Sequence, residues 1–412
     1  MRLENNLEEL DMSCNEWQEY TLKDVIEFNP KESIKKGTLS KKVAMDKLDT
    51  FKRKISGYEE TEFTSGTKFR NGDTLLARIT PCLENGKTAR VDILEDNEVG
   101  FGSTEFIVMR EKAGKTINDF IYYLSISPEF RNVAIKSMTG SSGRQRVQKD
   151  VLENVDILLP SIEEQEKIAN ILSSLDDKIE LNNEMNKTLE EMAQALFKRW
   201  FVDFEFPNEE GMPYKSSGGE MVESELGMIP KEWEVGYFSD ISEIHDSKRI
   251  PLSKMEREKR ENIYPYYGAA SLMDYVDDYI FDGVYILMGE DGTVIDSEGY
   301  PILQYVYGKF WVNNHAHVLR GKNNFSNEYL YLLLKNTKVS HIVTGAVQPK
   351  INQKNLNSIR CVIPSDDILE KFNSMIKSKY EYRIKNEDEN KVLREIRDTV
   401  LTKLMSGEIR VK

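Results

Sequence analysis

From Pro160 to Trp200 the chain has no glycine and, after its first residue, no proline; its apolar side chains recur alternately four and three positions apart. Ile168, Leu172, Leu175, Ile179, Leu189, Ala193, Leu196 and Trp200 belong to this series, with Asn182 and Asn186 on the same stripe. That spacing holds one narrow seam along one side of a helix, as pairing with a second helix requires. Ser161 and Glu164 form a capping-box start. At 1.5 Å per residue the helix would be roughly 60 Å long, too long and too polar outside its seam for an ordinary domain helix.

The pattern recurs. An offset of 204 carries Pro160 to Pro364, Asn182 to Asn386, Asn186 to Asn390, Leu189 to Leu393, Leu196 to Val400 and Trp200 to Leu404, without a gap. Phe372 and Ile376 take the places of Ile168 and Leu172, while Lys379 and Arg383 replace Leu175 and Ile179. Two unrelated surface helices would not keep such a register, so the chain reads as a tandem duplication with a paired helix in each half. Asparagines in the seam weaken it and fix its register.

Period-two runs and turn residues fill the rest. GDTLLARI (72–79), KTARVDIL (87–94) and STEFIVMR (103–110) read as strands, and Asn118–Ser125 as a short buried helix. LKDVIEFNPK reads as helix up to Pro30, and the charged stretch KESIKKGTLSKKVAMDKLDTFKRK as a solvated loop. FDGVYILMG, WVNNHAHVLR, LYLLLKN and TGAVQPKINQKNLNSIRCVIP repeat this order after Trp233. The predicted organisation is therefore mixed α/β: a helical arm over 1–15, a globule over 16–160, a helix over 161–205, a linker over 206–232, a second globule over 233–364, a second helix over 365–405 and a tail over 406–412. The Gly, Pro and Ser content of PNEEGMPYKSSGGEMVESELGMIP is a linker composition.

Composition narrows the classes. No run approaches the roughly 18 apolar residues of a membrane span, and MRLENNLEEL lacks a secretory pattern. Cys14, Cys82 and Cys361 are isolated, which suits reduced, structural thiols in a cytoplasm. A net charge of −14 argues alone against nucleic acid. Residues 13–160, however, balance 23 basic against 23 acidic side chains, while 161–205 hold 5 against 11. Much of the acid sits on the first helix, and fields are screened within about 10 Å at ordinary salt.

The loop Thr139–Lys149 carries Arg144, Gln145, Arg146 and Lys149 without an acid, and its twin carries Gln348, Lys350 and Lys354. Arg and Gln match guanine and adenine edges, and Lys matches phosphate; a solvated turn is the plain alternative. Arg78 and Lys87 flank a further turn as weaker candidates. His315 and His317 alternate on one strand, but HxH without a further ligand does not define a metal site, and no metal is expected. There is no GxxxxGK[ST] loop, no GxSxG elbow, no Asn-Pro-Pro-aromatic tetrad and no acidic cluster with lysine of the nuclease kind. Catalysis is expected in another chain.

Two α/β globules, each closing on a TG…basic loop, a strand ending in proline and a long seam helix, resemble the specificity subunit of type I restriction–modification enzymes. LPSIEEQEKIANILSSLDDKIELNN (159–183), ESELGMIPKEWEVGYFSDI (223–241) and LMSGEIRV (404–411) strengthen the resemblance, which covers nearly the whole chain. It implies a non-catalytic DNA reader whose two target-recognition domains each read half of a bipartite, asymmetric site. The helices would pair antiparallel as a spacer. Two modification subunits, carrying S-adenosylmethionine, and restriction subunits, using ATP and Mg, would join it; no cofactor is implied in this chain. A scaffold protein with oligomerising helices is the competing class, and a nuclease or methyltransferase with its own site a distant third.

Overall fold

Strand Phe106–Glu111 shows why each globule is built as it is. Phe106 and Val108 point into one apolar cluster, and Ile107 and Met109 into another. A strand buried on both faces needs a layer on each side, and the computed structural model, which describes residues 17–345 and 347–411, supplies them. The arm expected over 1–15, with Cys14, lies outside the described residues.

In the first repeat the central sheet runs Ile26–Phe28, Phe106–Glu111, Thr74–Ala77, Thr88–Arg90, all antiparallel. A second sheet covers one face, in the order Glu59–Glu62, Leu39–Val43, Gly100–Gly102, Thr67–Phe69, with one parallel pair. Helix Asn118–Ile126 covers the other face. The second repeat has the same plan. Its central sheet runs Ser242–Ile244, Ala316–Gly321, Tyr285–Gly289, Leu303–Val306. Its second sheet runs Leu272–Val276, Tyr264–Tyr267, Lys309–Val312, Phe281–Asp282, again with one parallel pair. Strand Gln18–Thr21 pairs with Asp156–Leu159 at the base of the first globule, as Glu234–Tyr237 pairs with Arg360–Ile363 in the second.

The long helices span Ile162–Phe197 and Asp366–Met405. The chain forms two compact units whose boundaries fall inside these helices: one ends at Leu181 and resumes at Glu389, the other is Asn182–Asp388. In each unit the two helix segments pack antiparallel. In the first, Ile168 and Leu172 share a cluster with Leu401 and Leu404, and Asp176 meets Arg397 at 2.8 Å with both side chains almost fully buried. Tyr123 donates to the other oxygen of Asp176 at 2.9 Å. In the second, Ala193, Phe197 and Trp200 pack with Phe372, Ile376 and Tyr380. Asn386 donates to Asn186 at 2.9 Å. Glu190 receives Arg383, Lys335 at 3.1 Å and the Tyr380 hydroxyl at 3.3 Å.

The seam shifts from its predicted line. Ile168, Leu172, Ile179, Phe372, Ile376 and Leu404 are buried, whereas Leu175, Leu189, Leu196, Leu393 and Val400 are only half-buried. Their inward places go to neighbours: Asp176, Phe197, Arg397 and Leu401. A straight helix drifts about 20° per heptad against a seven-residue repeat, and a fixed four–three series cannot follow it. The cationic position Arg383 is accommodated by Glu190, and Tyr380 occupies the seam beside Lys379.

Three further segments differ from expectation. LKDVIEFNPK is helical only over Leu22–Val25 and turns to strand at Ile26. The charged stretch holds strand Leu39–Val43, because Lys41, 7 % exposed, reaches Glu98 at 3.3 Å and the Ile93 carbonyl at 2.8 Å. The expected linker is packed: Phe206 stacks between Tyr214 and Trp233, with ring centroids 4.6 and 4.8 Å away, and a hairpin joins Met221–Ser224 to Gly227–Pro230. Ser161 accepts from the Glu164 amide, but the Glu164 carboxylate binds Arg410 at 2.7 Å and the Trp17 indole at 3.2 Å instead of completing a capping box. Among the described residues no helix is long and apolar enough to cross a membrane. Cys82 and Cys361 are free, and burial pushes the Cys361 thiol up to about 12.

Replacing Arg397 by Leu strands Asp176 as a buried charge and is expected to cost about 3–5 kcal/mol. Asp176→Leu with Arg397→Leu should recover most of that loss. Urea unfolding of the three proteins checks both outcomes.

Candidate nucleic-acid interface

In the first repeat the basic loop closes on itself and on the central sheet. Thr139 and Arg146 exchange backbone hydrogen bonds of 3.0 and 2.9 Å. The Val147 amide donates to the Arg78 carbonyl at 2.8 Å, and Thr80 donates to the Gln145 carbonyl at 3.0 Å. These bonds fix both ends of the loop and leave Ser141–Arg144 exposed at its tip. Gly140 has φ +131°, and a Cβ there would lie 3.0 Å from the Arg144 carbonyl oxygen, so glycine serves close approach within the loop.

The second repeat builds the same frame. Thr344 and Lys350 exchange backbone bonds of 2.8 and 2.7 Å, and Ile351 donates to the Glu290 carbonyl at 2.9 Å. Gly345, with φ +88°, brings its missing Cβ position within 2.3 Å of the Gln348 carbonyl oxygen. The tip presents Val347, fully exposed, and Gln348.

Side chains from the sheet reach these loops. Glu105 accepts both Nε and Nη2 of Arg146, the shortest contact being 2.7 Å. In the second repeat Lys350 meets Glu290 at 3.1 Å, and Arg249 binds the same carboxylate at 2.6 Å. The two donors from Arg146 hold the Glu105 carboxyl below the usual range against a smaller desolvation cost, with Arg78 adding its charge. Burial alone would raise Glu290; hydrogen bonds from Arg249 and Lys350 reverse that and hold it low.

Of the residues singled out by sequence, Arg144 and Gln348 are exposed at loop tips, Gln145 is half-buried, and Lys354 is exposed on helix Gln353–Asn357. Lys149 pairs with Glu153 one turn along its own helix. Arg78 donates to the Val147 carbonyl at 3.1 Å and Lys87 to the Met45 carbonyl at 3.0 Å, so both also brace loops. The absence of acid, true of the loop sequences, does not hold in space. Glu105 and Glu290 escaped sequence reasoning because each arrives from more than forty positions away; Arg249 and Val347 carried no local signal.

The two histidines do not share a face. His315 precedes the strand and meets Asp291 at 2.6 Å. His317 is fully buried, with Nδ1 2.6 Å from Asp246 and Nε2 2.8 Å from the Ile351 carbonyl. Donor atoms of Asp246, Glu290 and His317 lie within 4.8 Å of one another, companions that the sequence did not reveal. Arg249 and Lys350 already engage this group, and Gln353 donates to Asp246 at 2.7 Å. The arrangement is a hydrogen-bonded and ion-paired brace under the loop.

Two exposed, glycine-closed loops with basic and amide side chains, one per repeat, suit contact with phosphates and base edges. The family model of the type I restriction modification DNA specificity domain matches residues 15–191 and again 230–394. The chain belongs to that family, and is a specificity subunit with a role in DNA sequence recognition. It is 29 % identical over 313 residues to the type I restriction enzyme MjaIX specificity subunit of Methanocaldococcus jannaschii, covering 72 % of this chain and 70 % of that one. It is 26 % identical over 484 aligned positions to the HindI specificity subunit of Haemophilus influenzae, covering 96 % and 100 %. The crystal structure of a type I restriction–modification S subunit from M. genitalium shares the fold, with a TM-score of 0.56, 17 % identity and 98 % of each chain covered.

Because Glu105 and Glu290 sit below the ordinary carboxylate value of 4.5, the stability they add is complete above that value and fades as pH falls through their folded-state values. Urea midpoints measured from pH ~6 to ~3 should fall more steeply for the parent than for Glu290→Gln.

Proposed function

We propose that the chain reads a bipartite, asymmetric DNA site, one half per globule, and directs partner modification and restriction subunits to it. The observation that carries this reading is the recurrence of one loop frame. A Thr–Gly turn, closed by the same backbone pair and tied to the same strand end, presents polar side chains in both repeats. Arg144 is assigned to a guanine edge or a phosphate. Gln348 is assigned to adenine, with Val347 beside it to meet a thymine methyl. Lys149 and Lys354 are assigned to phosphates. The antiparallel helices serve as the spacer between half-sites, consistent with a fixed helix length setting a fixed separation along DNA. Overall acidity is no obstacle, since the first helix concentrates acid while residues 13–160 are neutral.

The partners are two methyltransferase subunits, which hold S-adenosylmethionine, and restriction subunits, which hold ATP and Mg; the assembly works in the cytoplasm. This chain contributes recognition and spacing and needs no cofactor of its own. Sequencing modified adenines in cells holding the chain and its methyltransferase tests the whole reading. Exchanging residues 233–364 for those of another such subunit should change one half of the modified sequence and leave the other intact. A change in both halves together would refute it. With the modification subunit present, Arg144→Ala and Gln348→Ala should each lose about 1–3 kcal/mol on the matched duplex if they touch bases. Binding on matched and mismatched duplexes at two salt concentrations reads that out.

A further inference from the structure

In both repeats the residue that closes the loop is a cation, Arg146 or Lys350, and in both its charge is met by a carboxylate at the end of an inner strand of the central sheet. The two acids do not occupy equivalent positions. Arg78 donates its amide to the Glu105 carbonyl at 2.9 Å, and Glu290 donates its amide to the His315 carbonyl at 2.8 Å. Glu105 therefore corresponds to His315, and Glu290 to Arg78. The acid has changed strands between the repeats, yet the loop cation remains paired. A second cation stands by each acid: Arg78 lends charge to Glu105, and Arg249 binds Glu290 directly. Glu290 would thus keep a partner if Lys350 turned away.

Accepting that these loops face DNA, we propose that Glu105 and Glu290 limit the sequence-independent affinity of the loops, masking Arg146 and Lys350 from DNA phosphates. Phosphate contact supplies nearly all non-specific affinity. A free arginine or lysine at a loop closure would add to binding on every sequence alike. A masked one must first leave its carboxylate, and exchanging one anion for another yields little. Base contacts at the loop tip depend on sequence, so with the cations masked they make up a larger share of the binding. The acids act through the loop cations and touch no base themselves.

The test uses the full-length chain in complex with its modification subunit, a labelled duplex of random sequence, and a duplex carrying the mapped site. Glu105→Gln and Glu290→Gln should tighten binding to random and cognate duplex alike, because the unmasked cation can reach a phosphate on either. One newly available phosphate contact steepens the salt dependence by about 0.9 in log–log slope, so between ~50 and ~200 mM salt the variant should lose ~3- to 4-fold more random-duplex affinity than the parent. The gain must vanish in Glu105→Gln/Arg146→Gln and in Glu290→Gln/Lys350→Gln. Glu105→Asp, which keeps the charge, should bind both duplexes like the parent, and Glu209→Gln, an exposed carboxylate elsewhere, should change neither measurement. The proposal is overturned if the single variants bind random duplex like the parent, or if their gain persists without the loop cation. Failure of both variants to fold would make the pairs structural struts and overturn it equally. If the parent complex itself shows no preference for the mapped site, the reading of the loops as DNA-facing fails instead.

Discussion

Register between the two long helices depends on polar groups that cannot be left alone. Apolar residues such as Leu172 and Ile376 would tolerate a slip of one turn; a buried Asp176 facing a buried Arg397 would not, because a slip would strand both charges in an apolar seam. Asn186 with Asn386, and Glu190 with Arg383 and Lys335, impose the same condition in the second unit. These groups add little net stability when paired, but their mispairing is costly, and that asymmetry selects one alignment. Each globule then packs on a helix pair whose register is already set. In the first, Arg53 of the outer layer reaches Asp177 and Glu180 of the helix.

Much of this was legible in the sequence, since helix period, glycine-marked turns and the ungapped repeat are local patterns. The paired helices, the central strands and the two basic loops were read from them. Features resting on long-range partners were not. Lys41 looked like part of a solvated run, yet it lies buried because Ile93 and Glu98 come to it from the other side of the sheet. Phe206 and Tyr214 sit in a Gly- and Ser-rich stretch, and only the face of Trp233 explains why that stretch is packed. The loops were found as basic loops, but the acids that hold their cations belong to other elements.

Each basic loop therefore divides into two tiers. Backbone bonds, positive-φ glycines and ion pairs to Glu105 and Glu290 fix the loop bases, whereas the tips, with Ser141–Arg144 and Val347–Gln348, are exposed. Side chains at a tip can be exchanged without disturbing the sheet beneath, since none of the closing bonds runs through them.

The unit boundaries inside the helices bear on how the molecule is made. The second unit is one continuous stretch, Asn182–Asp388, set within the first, whose last part begins only at Glu389. As the chain leaves the ribosome, the internal unit has all its residues available first. The amino-terminal globule must meanwhile wait for Arg397, Leu401 and Leu404 to close its helix pair and for Arg410 to reach Glu164. The earliest globule to be synthesised is thus the last to be completed, and damage near the carboxyl terminus falls on the opposite end of the coding order.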